Sequence, residues 1–301
     1  MKKNFLLRLW QYVHLRFPFF SVLLLTLLVG LSVSLLSWRL GFEHSYKLVV
    51  LRAFMFFIFL FKLRVLDELK DFAHDSKYYP DRPIQKGLLS LLELKLLGIT
   101  AFLIELLITL FLGYGISLTV FVLASIYTFF MYKEFFVGAF IKSKLLLYLI
   151  LHELVFVFVY FWLFFFGINN PFTINRSMFW QLILFILTIV LIEVARKSRF
   201  KLDENASKDT YSARYGLHFV SIVLVALSCL LSVSLFLFME SLSYLLSRHL
   251  IFSIFLSSFP LPFVLNYLNH KSRDSSKTLF YGISIYCVFV YLGMIIFLKY
   301  E

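Results

Sequence analysis

Charge is scarce in this sequence. Only 15% of its 301 residues are Asp, Glu, Lys or Arg, and just 17 are acidic. With 61% hydrophobic residues and a mean hydropathy of +0.89, the chain is a polytopic membrane protein rather than a water-soluble domain. Cysteine is nearly absent. Cys229 and Cys287 both lie inside apolar runs, which excludes a disulfide framework or a cysteine metal site and makes them packing residues. The shortage of acids leaves a net charge of +12. On one soluble face that excess would point to nucleic acid, but the basic residues sit in short loops between apolar runs, so no nucleic-acid partner is expected. A signal peptide is the competing reading of the N-terminus; the first apolar run, about 20 residues long, lacks a clear small-x-small cleavage site before Trp38 and Arg39, so a retained first span is expected.

What the sequence does have is long apolar runs. About nine are bounded by charge or by Gly and Pro, near 15–37, 47–66, 87–112, 115–132, 143–166, 178–196, 215–238, 242–268 and 279–298. Pro260 and Pro262 must kink or shorten the eighth. The 39 Phe residues are mostly packing and lipid-facing material. The expected fold class is all-α: a polytopic membrane helical bundle of about nine transmembrane helices around a central cavity, with a cytoplasmic polar cap. Residues 1–301 form one domain, and the cap is made of loops 67–87 and 196–214. Of the 29 Lys and Arg residues, 22 fall at the N-terminus or in the loops after the even-numbered runs, Lys62 being counted in the first of these. The positive-inside rule then puts the N-terminus and polar cap in the cytoplasm and the C-terminus outside, in a multi-pass protein of the inner (cytoplasmic) membrane.

Scarce charge is concentrated in DELKDFAHDSKYYPDRP, residues 67–83. Asp67, Asp71 and Asp75 recur every fourth residue, with Glu68 beside the first. If the second helix runs on, they share one face and repel one another. A divalent cation offsets that repulsion, and Mg²⁺ takes hard oxygen ligands from one or two carboxylates and substrate phosphates. A solvated loop with incidental acids is the alternative. Pro80-Asp81-Arg82-Pro83 makes a rigid turn from which Arg82 reaches either an acid of the cluster or a phosphate oxygen.

The stretch DELKDFAHDSKYYPDRPIQKG resembles the first signature of the UbiA superfamily of intramembrane prenyltransferases, NDxxDxxxD followed by RP-x-x-x-G. Asp67 stands at the Asn, Glu68 at the first Asp, Asp71 and Asp75 at the next two, and Arg82, Pro83 and Gly87 at the turn. The departures keep oxygen ligands but lengthen one arm. The second polar stretch, EVARKSRFKLDENASKDTYSARYG at 193–216, stands where the family carries a second acidic motif, DxxxD. Here Asp203 takes the second Asp, followed by Glu204, while Arg199 lies near the first. The Glu193, Arg196-Lys197 and Asp-Thr-Tyr-Ser pattern is similar to a bacterial branch of UbiA-like proteins. Arg196, Lys197 and Arg199 would take over part of the charge neutralisation; otherwise the stretch is an ordinary positive-inside loop. The resemblance places Tyr127, Lys133 and Lys142 near the prenyl diphosphate, against snorkelling at the membrane boundary. His152, Glu153 and Glu193 are suspects because they are ionisable within spans; Arg52, Glu93, Lys95 and Glu105 also lie in or near spans, of which Glu93, Lys95 and Glu105 are expected simply to pair or snorkel.

The resemblance implies Mg²⁺-dependent transfer of a prenyl group from a polyprenyl diphosphate to a small acceptor, expected to be aromatic as in quinone biosynthesis, within the membrane lipid. Asp71, Asp75 and Arg82 would be catalytic. Lys133, Lys142, Arg196, Lys197, Arg199 and Tyr127 would bind substrate. Asp67, Glu68, Asp71, Asp75, Asp203 and Glu204 would hold metal. The competing functions are a catalytically silent UbiA-like lipid-binding protein and a membrane transporter. The DGxxAR pattern of the CDP-alcohol phosphotransferases is absent.

Overall fold

The structure is a computed structural model describing residues 4–42, 45–169, 174–199, 209–242, 246–270 and 272–300. The described residues are helical with no strand, as a backbone in lipid must be if its polar groups are to be satisfied within one segment. They divide into two compact units.

The first unit comprises residues 1–144 and 161–170. It holds α1 (Phe5–Arg16), α2 (Phe19–Arg39), α3 (Tyr46–Lys70), α4 (Phe72–Tyr78), α5 (Leu91–Leu112), α6 (Gly115–Tyr132), a 3-10 turn (Glu134–Phe136) and α7 (Gly138–Ser143). Its central packing is α3 between α2 and α5. Gly30 sets the α2–α3 approach: a Cβ there would lie 2.8 Å from the Ala53 backbone nitrogen, so the helices meet small residue on small residue. Phe17 stacks edge-on against Phe57 and Phe61. The buried cluster Tyr12, Val65, Ile84, Leu89 and Leu94 ties α1 and the turn after α4 to α3 and α5. Ser90 and Glu93 form a reciprocal capping box at the start of α5.

The second unit comprises residues 145–160 and 171–301. It holds α8 (Leu145–Glu153), the start of α9 (Val155–Phe165), α10 (Arg176–Arg196), α11 (Tyr211–Tyr215), α12 (Leu217–Glu240), α13 (Leu246–Ser258), α14 (Leu261–His270) and α15 (Arg273–Tyr300). α10 lies along α12, and α14 along α15. Two buried tyrosines here find partners on neighbouring helices: the Tyr286 hydroxyl donates to the Ser228 carbonyl at 2.7 Å and pairs with Ser232 Oγ, and Tyr160 donates to Gln181 Oε1.

Among the described residues, eight segments are long and apolar enough to cross a membrane, including the α8–α9 pair and the span His249–His270. The last is broken between α13 and α14 at Pro260, where the sequence required a kink. The 25-residue α3 fills the place of the remaining expected span while carrying Arg52, Lys62 and Arg64 within its length. Two features depart from the sequence reading. The first apolar run begins at Phe19, after a separate amphipathic α1 that ends at Phe17-Pro18. Lys62, expected in the cytoplasmic loop, is instead 4% exposed inside α3 and paired with Glu105 of α5.

Candidate functional site

The first polar stretch is largely helical. α3 runs to Lys70, Asp71 is both its C-cap and the residue before α4, and the backbone ladder barely breaks: Asp71 donates to the Asp67 carbonyl at 2.9 Å, Asp75 to that of Asp71 at 2.8 Å, and Tyr79 to that of Asp75 at 2.8 Å. This register puts Asp67, Asp71 and Asp75 one above another on a single helical face.

Their partners differ. Asp67, with its side chain 48% exposed, meets Lys70 at 3.4 Å. Asp75 is buried, accepts a charge-assisted hydrogen bond from Arg82 and lies 3.5 Å from His74 Nδ1. The Arg82 guanidinium also lies 3.8 Å from the Tyr79 ring centroid, so the Pro-Asp-Arg-Pro turn delivers Arg82 onto both an acid and an aromatic face. Gly87 ends this turn with φ of 76°, a left-handed conformation that favours glycine. Asp71 makes no side-chain hydrogen bond or ion pair with the described residues. Burial raises its pKa above the ordinary carboxylate value, and Asp67 and Asp75 reinforce the shift against the opposing pull of Lys70 and Lys142.

Glu68 points elsewhere. Its side chain is fully buried, and Oε1 accepts both from Arg16 Nε at 2.8 Å and from Arg64. Among the described residues no group of three His, Cys, Asp or Glu side chains converges as a metal-holding cluster.

Of the cations expected near a diphosphate in this unit, Lys133 caps α6 and lies over the Tyr132 ring without an ion pair to the described residues, whereas Lys142 is paired with Glu134 at 2.6 Å. Tyr127 packs edge-on against Phe135. The connection between them is strained: Glu134, Phe135 and Phe136 have φ of 50°, 53° and 58°.

In the second unit, Glu193 in the last turn of α10 holds Arg196 through two hydrogen bonds of 2.8 Å and Lys197 at 3.0 Å. Lys197 also lies near the rings of Tyr148 and Tyr211. The backbone of Arg199 is fixed, its N–H donating to Ser212 Oγ and its carbonyl accepting from Tyr267, while its guanidinium makes no ion pair with the described residues. Tyr211 is raised in pKa by burial first and then by the charges of Glu193 and Glu153. His152 stacks on Tyr148 at 3.8 Å. Asp203 and Glu204, the metal ligands expected in this stretch, lie outside the described residues.

The sequence reading did not assign roles to Arg16 and Arg64, which share Glu68, or foresee that Lys62 finds Glu105. The i,i+4 spacing of Arg64 and Glu68 was a local signal for one of these pairs. The other two join residues 52 and 43 positions apart.

No protein-family model and no curated protein matches the sequence. Solved structures do share the fold. A digeranylgeranylglyceryl phosphate synthase is 16% identical with a TM-score of 0.60, covering 97% of this chain and 98% of its own. A UbiA homologue from Archaeoglobus fulgidus, bound to DMAPP and Mg²⁺, is 16% identical with a TM-score of 0.59, covering 94% of this chain and 98% of its own. The all-α membrane bundle is therefore the UbiA fold, end to end.

Proposed function

We propose that this protein transfers a prenyl group from a polyprenyl diphosphate to a small acceptor within the membrane, with Mg²⁺ as cofactor. The observation that best supports this reading is the aspartate ladder Asp67, Asp71 and Asp75, closed by Arg82 and set at the end of α3 on a UbiA fold. The chemistry of the donors suits the ion, although the three carboxylates do not converge by themselves: Mg²⁺ commonly takes one or two carboxylates together with substrate phosphates, and Asp71 makes no ion pair with the described residues. Asp67, Asp71 and Asp75 would hold Mg²⁺, whose contribution is to neutralise the departing diphosphate.

The reaction breaks the allylic C–O bond, releases diphosphate with the electron pair, forms a bond between the allylic carbon and the acceptor, and removes one proton from the acceptor. Arg82 is positioned to exchange its contact with Asp75 for a phosphate oxygen, and Lys133, without an ion pair, supplies a second cation. In the second unit, the Arg199 guanidinium makes no ion pair with the described residues, while Arg196 and Lys197 are held by Glu193. Positive charge on the allylic carbon needs an apolar, aromatic surround. Phe59, Phe121 and Trp162, packed with ring centroids 5.1 to 6.4 Å apart, are such material in the first unit. An aromatic acceptor, as in quinone biosynthesis, is the acceptor class we favour.

The acids engaged with arginines favour a second reading, a catalytically silent lipid-binding protein of the same fold. An assay of purified protein in lipid, with labelled prenyl diphosphate and an aromatic acceptor, separates the two. Mg²⁺-dependent transfer lost in Asp71→Ala/Asp75→Ala is expected; transfer unchanged in that double variant would end the proposal.

A further inference from the structure

We propose that Glu68, although it stands where the family motif has a metal-binding Asp, is not a metal ligand in this chain but the anchor of an Arg16–Glu68–Arg64 clamp that fastens α1 beneath the aspartate ladder. The inference rests on the Mg²⁺ reading above and narrows it to Asp67, Asp71 and Asp75.

Glu68 is one residue off the i,i+4 ladder, and its side chain is fully buried where that of Asp67 is 48% exposed. An ion arriving from water with a diphosphate meets the ladder face rather than Glu68. The carboxylate is already bound: Oε1 takes a hydrogen bond from Arg16 at the end of α1 and another from Arg64 one turn back on α3. Two guanidinium charges on one carboxylate favour a third cation there less than on Asp71, which has no ion pair. Among the described residues the Glu68 Oε2 atom and Arg64 Nε are enclosed without hydrogen bonds, and Tyr12 is raised in pKa by burial and by the charge of Glu68. The extra methylene of Glu over Asp therefore does identifiable work: it carries the carboxylate to Arg16 across a helix–helix contact.

The clamp also has a net charge. Glu68 offsets only one of its two arginines, and Arg82 lies close enough that both Arg64 and Arg82 lower the pKa of Arg16, after burial itself. One surplus positive charge beside the ladder favours a diphosphate. The clamp has a second tie: Arg8 of α1 holds Glu93 at 2.6 Å and the Leu88 carbonyl at 3.0 Å, so α1 is pinned at both ends of the segment that carries Arg82.

The test is Mn²⁺ binding, as a probe for Mg²⁺, and thermal unfolding of the full chain in detergent, for wild type, Glu68→Gln, Glu68→Asp, Arg16→Met and Asp71→Asn. As an anchor, Glu68→Gln and Glu68→Asp lower the metal-free Tm by roughly 5–10 °C and change metal affinity by less than about twofold, whereas Asp71→Asn weakens metal tenfold or more. Arg16→Met likewise lowers Tm and leaves metal affinity unchanged. If Glu68 is a ligand held in reserve, Glu68→Gln weakens metal as much as Asp71→Asn does, Glu68→Asp binds at least as tightly as wild type, and Arg16→Met binds more tightly. Any of these overturns the proposal. Wild-type protein that binds no Mn²⁺ would remove the Mg²⁺ reading, and the anchor would then stand or fall on the Tm of Glu68→Asp alone.

Discussion

At the scale of single residues, the scarce charges of this chain take two different forms. Lys62 and Glu105 are both buried between helices and paired with one another, with Lys62 also lying 4.7 Å from the Phe59 ring centroid. Such a pair adds little over well-packed apolar residues, but breaking it leaves an uncompensated charge. Glu105→Leu alone is therefore expected to cost about 3–5 kcal/mol in unfolding experiments, and the double variant Lys62→Met/Glu105→Leu to regain most of it. Equal losses in single and double variants would refute the pairing. Asp71 is the opposite case. Burial raises its pKa, so the folded protein holds the proton more tightly than the unfolded chain, and ionisation costs stability as pH rises through the carboxylate range. Asp71→Asn is expected to raise the metal-free Tm at neutral pH while weakening metal, an opposition that marks a residue kept for binding rather than for folding.

At the scale of elements, the apolar runs were legible because span length and hydropathy are local properties; the structure differs mainly at their ends. The amphipathic α1 was overlooked because a short helix with Arg8, His14 and Arg16 does not read as a span, and its meaning comes from distant partners, Glu93 and Glu68. The aspartate ladder was legible as a spacing. That Glu68 would turn to Arg16 was not, since nothing local links residues 52 positions apart. Nor was Lys62 placed correctly, because an apolar run that ends in Lys and Arg looks finished whether or not the helix continues. Helix contacts also set a prediction. Gly30→Val must push α2 from the Ala53 backbone and is expected to cost about 1–3 kcal/mol, while Gly115→Ala, at an open position, is expected to be neutral or slightly stabilising. Comparable unfolding of both variants would contradict the close α2–α3 approach.

At the scale of the whole molecule, basic residues cluster in alternate loops, which predicts that the N-terminus and the aspartate ladder face the cytoplasm. Cysteines placed singly at Lys77 and at Tyr300, in a chain with Cys229 and Cys287 replaced by Ser, should react with an impermeant reagent from opposite sides of sealed vesicles. Reaction from the same side would overturn the sidedness. On that topology, the proposed function would have the diphosphate stay in water at the aspartates while its isoprenoid tail enters the bilayer. The most direct test is calorimetric binding of prenyl diphosphates of several chain lengths to the purified protein, with and without Mg²⁺, alongside Asp71→Ala/Asp75→Ala. Binding that requires both the ion and the aspartates is the predicted result. Equal binding without Mg²⁺, or by the double variant, would contradict the account.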